Sequence, residues 1–166
     1  IYRGCLTVKP SIIFFTLAMF SAVSVANPFG YTVNRTNDTL YRLNLSTGDA
    51  EAVGSGVGFG DVEALSFDPR TEVLYGLDDD TDSLIRIDTT SGIATQIGTF
   101  AANVDEGGLA ISDTGQAVFS DEDGDTYFIN LETAAIDFIG DSLVETDNLT
   151  FRATTLLGID RRTHDL

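Results

Sequence analysis

Three acidic positions carry the first chemical signal in this chain. Asp61, Asp105 and Glu145 each stand four residues before a leucine, at Leu65, Leu109 and Leu149, with Glu63, Glu106 and Asp147 close by. Carboxylates that recur at one register position converge when their repeats surround a common axis, and converging hard oxygen ligands suit a calcium ion. The competing account is that loops of a very acidic chain collect acids without purpose. Asp and Glu number 26 against 9 Lys and Arg, a formal charge of -17. Such a surface repels phosphate backbones and anionic lipid, so nucleic acid is not an expected partner, and acidity without runs of like charge reads first as a solubility device.

A second acidic stretch, Asp121-Glu-Asp-Gly-Asp125, resembles a calcium loop, and Glu132 falls at its twelfth place. Thr126 stands where that loop needs glycine, however, and strand-forming residues flank it, so a hairpin turn is the better reading. Paired carboxylates also serve glycoside hydrolysis, which needs two acids at a fixed separation with one held protonated by burial. Here the acids recur with the repeat, whereas a catalytic pair would be a singular departure from it. A serine-type triad would have to use His164, in a polar tail far from any rigid support. We therefore expect no enzyme and no cofactor beyond a calcium ion, with a carboxylate-dependent, glycosidase-like hydrolase as the alternative.

The elements that must position these acids are short strands. From Glu63 to Phe100 the pattern is four apolar runs separated by polar turns: Leu65 and Phe67, then Val73 to Leu77, then Leu84 to Ile87, then Ile93 to Ile97. Tyr41-Arg-Leu-Asn-Leu-Ser-Thr-Gly48, Ile85-Arg-Ile-Asp-Thr-Thr-Ser-Gly92 and Tyr127-Phe-Ile-Asn-Leu-Glu-Thr-Ala134 repeat with spacings of 44 and 42 residues. A period of about 40 to 45 residues holding four strands marks a β-propeller blade. We expect an all-β chain of β-propeller-type four-stranded blades, about three of them, in an incomplete ring. The predicted segments are a partial blade over 29–54, blades over 61–100 and 105–140, and a partial blade over 145–166. Gly48 and Gly92 supply the left-handed conformation that tight turns require. One interblade layer is expected from Leu65, Phe67, Leu74, Leu84, Ile87 and Ile97, and the next from Leu109, Ile111, Val118, Phe128, Ile129 and Ile139. Because a closed ring needs about four blades, the sequence reads as a piece of a longer protein whose remaining blades are missing.

Residues 1–26 read as a signal peptide, apart from the repeats. Arg3 and Lys9 precede an apolar run from Ile12 to Val25 that closes on Ser24-Val25-Ala26, the pattern of a secretory signal helix cleaved after Ala26. The run is short of the roughly 20 residues needed to span a bilayer, so no membrane span is expected in the mature chain, 27–166. Cleavage removes Cys5, Lys9 and Met19 and no acid, leaving a chain without Cys, Lys, Met or Trp. Disulfides, thiolate chemistry, Schiff bases and Cys/His zinc sites are thereby excluded from it.

At the repeat residues the chain resembles secreted bacterial β-propeller repeats of the YVTN and quinoprotein-like type, in particular a family of unknown function with units like LYGLDDDTDSLIRIDTTSGIATQIG. The resemblance runs from Phe29 to Asp160. It implies a fold and no activity, since propellers host enzymes, lectins and scaffolds alike. The cofactor ligands of quinone-dependent members have no counterpart here. What it implies is a secreted, extracellular or periplasmic module, or one attached to a cell surface, binding protein or polysaccharide or serving a structural role, with calcium-stabilised adhesion as a compatible variant.

Overall fold

Alternating side chains and strong turn formers leave this sequence one economical solution, a chain of antiparallel hairpins. The computed structural model describes residues 28–102, 104–105, 107–142 and 146–160. The predicted signal segment, Cys5, His164 and the acids Glu106 and Glu145 lie outside the described residues. Among the described residues every regular element is a strand, and there are thirteen.

The first sheet holds β1 (Phe29–Asn34), β2 (Thr39–Asn44) and β3 (Ala50–Val53) in that order. The second holds β4 (Val62–Asp68), β5 (Val73–Asp78), β6 (Ser83–Ile87) and β7 (Ala94–Thr99). The third repeats it with β8 (Gly108–Ile111), β9 (Ala117–Ser120), β10 (Asp125–Ile129) and β11 (Ile136–Asp141), and β12 (Thr146–Arg152) with β13 (Thr155–Asp160) form the last pair. All neighbours are antiparallel, so each sheet is a meander. The first strands of the last three sheets lie side by side: β4 packs beside β8, and β8 beside β12. A hydrogen bond of 3.1 Å from the Ile111 N–H to Ser66 Oγ ties two of them together. The four sheets do not close into a ring among the described residues.

The turns explain the abundance of Asp and Asn. Asn44, Asp88 and Asn130 open the turn before the last strand of their sheets, each accepting the backbone N–H two residues on and, at Asp88 and Asn130, also the one three residues on. Asp121 accepts the Asp125 N–H at 2.8 Å within a hairpin, so the calcium-like stretch is a turn. Gly48 and Gly92 have φ of 81° and 76°, and Ala134 at the same register position has 60°.

The cores lie between sheets, but their membership corrects the sequence reading. Because successive side chains of a strand point to opposite faces, each blade feeds two layers and not one. Leu74, Ile85 and Ile87 join Leu40 and Val57 between the first and second sheets. Tyr75, Leu77 and Leu84 join Leu109, Ile111, Phe119 and Ile129 between the second and third. Phe67, Phe128 and Ile139, expected inside a layer, are exposed. Phe100, Phe119, Tyr127 and Phe138 form a row of rings with centroids 5.5 to 5.6 Å apart.

Candidate functional site

The turn after β1 and the start of β4 gather two acids around one arginine. Arg35 begins the turn after β1, and its Nη2 reaches Asp61 Oδ2 and Glu63 Oε1, each at 3.1 Å. Asp61 is placed by the loop before β4, where its N–H donates to Asp78 Oδ1 at 3.2 Å. Asp78 is fully buried and also accepts the Thr81 N–H and hydroxyl at 3.1 and 2.6 Å, which pins the β5–β6 turn to that loop. Asp61 Oδ1 is buried without a hydrogen-bond partner, and Glu63 Oε1, also buried, meets Arg35 at ion-pair distance but out of hydrogen-bonding alignment.

Charge crowding shows in the protons. Burial pushes the Glu63 carboxyl up, the Arg35 guanidinium opposes it, and Asp61 and Asp79 add to the rise. Asp79 is raised by burial and then by Asp105, Asp61, Asp82 and Asp80. Asp61 and Asp105, singled out by register, thus act on the same carboxyl, while Glu145 lies outside the described residues. No group of three or more His, Cys, Asp or Glu among the described residues has an arrangement that could hold a metal ion. What occupies the space between Asp61 and Glu63 is a guanidinium from the preceding blade.

A second acid–arginine pair sits at the opposite end of β4. Asp68, buried, accepts the Arg70 N–H at 2.9 Å and its guanidinium at 3.2 and 3.0 Å. Burial pushes this carboxyl up, but hydrogen bonds from Arg70 and Thr71 outweigh it and hold it below the usual carboxylate range. The same guanidinium lies against Gly115 in the next blade's first turn. Arg35 escaped the sequence reading, and Asp68 and Asp78 are legible there only as turn residues, without their buried partners. The Asp-Pro-Arg order in Asp68-Pro69-Arg70 was the available signal for one of them, since an Asx turn brings a side chain two residues on back to the acid.

No protein-family model matches the sequence, and no curated protein matches it either. Solved structures do. A chain of the nidogen/laminin complex superposes with a TM-score of 0.65 at 13% identity, covering 81% of this chain and 53% of that one. A structural genomics protein of unknown function from Bacteroides thetaiotaomicron VPI-5482 gives 0.58 at 15% identity, covering 83% of this chain and 37% of that one. The chain therefore spans about half of the first and little over a third of the second. No helix among the described residues is long and apolar enough to cross a membrane. Taken with the meandering four-stranded sheets, the likeness assigns this chain a β-propeller-like fold.

Proposed function

We propose that this chain is a segment of a secreted, non-catalytic β-propeller that binds protein or polysaccharide or serves as a structural module, of the YVTN and quinoprotein-like type. The observation that carries this reading is the employment of the loop acids. Asp68, Asp78, Asp88 and Asp121 each accept turn N–H groups, and Asp61 with Glu63 faces Arg35. These are devices for shaping a repeated scaffold, and a hydrolase would need one pair set apart from them. The structural neighbour from a complex of two named proteins supports protein as a ligand class. The apolar leader over residues 1–26 supports secretion.

A screen of chromogenic glycosides tests the reading. No turnover is the expected result; turnover abolished by a single Asp or Glu substitution would replace the module with a hydrolase. One addition is tested beside it, a calcium ion held near Asp61, Asp105 and Glu145, which would have to compete with the Arg35 guanidinium. Calcium should then raise the melting temperature of the wild type and not of Asp61→Ala, and equal melting with and without calcium in both removes the ion.

A further inference from the structure

The first two sheets carry one pair of residues at one register. Tyr31 faces Arg42 across β1 and β2, and 44 residues on Tyr75 faces Arg86 across β5 and β6. In each case the tyrosine belongs to a core: Tyr75 packs with Leu77, Leu84 and Phe119, and Tyr31 against Leu40, Leu74 and Ile85. Each arginine lies past the edge of that core and is exposed. In the third sheet Val118 faces Phe128 at this register, and the tyrosine–arginine pair is gone.

Both arginines line clefts. The one at Arg86 has a volume of about 450 Å³ and is shaped also by Glu72, Val73, Asp88, Ile93 and Thr95. The one at Arg42, of about 270 Å³, includes Phe29, Asn44, Asp49 and Glu51. Each sets one guanidinium and two carboxylates beside an apolar surface. In the first that surface is Val73 and Ile93, and in the second it is the Phe29 ring, whose centroid is 4.4 Å from Arg42 Cζ. β5 and β6 are paired on both edges, and this face of the second sheet is already stacked on the third, so the Arg86 cleft is not the place of an absent strand or blade. Its polar groups are also left over by the fold. The ion pairs among the described residues belong to Arg35 and Arg70 and not to Arg42 or Arg86, and Asp88 accepts the Thr90 and Ser91 N–H groups through Oδ1 alone.

We propose that the Arg86 cleft, and the Arg42 cleft one blade earlier, each bind an uncharged sugar unit of a polysaccharide. A sugar ring presents hydroxyls that both donate and accept, and a guanidinium beside carboxylates answers both, with charge-assisted hydrogen bonds in each direction. Its C–H face packs on the apolar wall, Val73 with Ile93 or the Phe29 ring. The Arg86 cleft falls within the roughly 300–1,000 Å³ usual for ligand sites. One positive group against two negative ones, in a chain of formal charge -17, turns away acidic sugars. Recurrence at a spacing of 44 residues suits a ligand that itself repeats, because two weak sites then act on one polymer.

This inference deepens the binding-module reading, on its polysaccharide side, and rests on it. The test is native electrophoresis of the full chain through gels containing laminarin, mannan or xylan, with polygalacturonate as the acidic counterpart. At least one uncharged polymer should retard the chain. Arg86→Ala should weaken that binding about tenfold or more, and the double variant with Arg42→Ala should abolish it. Arg152→Ala, exposed and outside both clefts, should change nothing. Arg42, Arg86 and Thr95 are exposed, so their variants should melt near the wild type, and Thr95→Tyr, which fills the cleft, should weaken binding as Arg86→Ala does. A check free of mutation is phenylglyoxal modification of Arg86, read by mass spectrometry, which the retarding polymer should slow. Binding that survives the double variant, or retardation by polygalacturonate alone, overturns the proposal. So does retardation by none of the polymers, which with a blank glycoside screen leaves the module a binder of protein. Carboxylate-dependent turnover in that screen removes the non-catalytic reading itself, whatever the gels show.

Discussion

Asp68 and Glu63 belong to one strand and both are removed from water, yet their protons respond in opposite directions. Asp68 has donors aimed at its charge; Glu63 has an arginine on one side and acids on the other. The consequence for stability follows from linkage. The raised groups, Glu63 and Asp79, take up protons in the folded state first, so stability rises as pH falls toward their ordinary values of 4.5 and 3.8. Asp68 contributes above its ordinary 3.8, and that contribution disappears as pH falls through its lower folded value. Melting temperature should therefore peak in mild acid and fall steeply below it, and Glu63→Gln should flatten the rise while leaving the acid limb intact. Replacing Asp68 by Asn should cost about 1 to 3 kcal/mol in urea unfolding at neutral pH, because a buried charge-assisted set of bonds is weakened. At Glu72, exposed with φ of 58°, the strain is conformational. Glu72→Gly should gain about 1 kcal/mol, read as a rise in melting temperature of about 2 to 4 °C.

Between elements, the joint that repeats is a glycine against a turn. A side chain at Gly54 would strike the Ser91 C=O, and one at Gly92 would strike the Val53 C=O. One blade on, a Cβ at Gly98 would stand 2.9 Å from the Thr133 C=O and 3.1 Å from the Ala134 Cβ. Gly48 and Gly140, at matching positions on the outward faces, would meet nothing within 4 Å. Alanine at Gly92 should cost about 3 kcal/mol, strain and collision together, while at Gly48 it should cost about 1, from backbone strain alone. Likewise Gly98→Ala should destabilise and Gly140→Ala should not, with equilibrium unfolding as the measurement. The sequence made these turns legible: Ser91-Gly92 and Thr47-Gly48 could be placed because left-handed turns demand glycine, and the thirteen strands followed from spacing. Which apolar residue entered which layer was not legible, because Leu84 and Ile85 look equivalent in composition and face opposite ways only once pairing fixes the pleat. Arg35 was hidden for a related reason, since its carboxylates lie 26 and 28 residues away on another blade.

At the scale of the whole chain, cohesion is concentrated in the middle. Two apolar layers are sealed, one on each face of the second sheet, and both draw on β5 and β6. The outer faces are poorer: Phe29 and Leu45 are exposed at one end, and Phe138, Leu157 and Ile159 at the other. In a stacked array each unit is held by its neighbours, so end units open at lower free energy than interior ones. Formal charge sharpens the gradient, because self-repulsion of -17 acts on every blade while only interior blades have two interfaces to oppose it. Native-state hydrogen exchange should therefore find the greatest protection at Leu74, Leu77, Leu84 and Ile85 and the least along β3 and β13. Added salt should slow exchange at the ends more than in the centre, since screening relieves repulsion where packing is weakest. Uniform protection across all thirteen strands would mean that the chain unfolds as one cooperative unit, and the layered account of its stability would have to be abandoned.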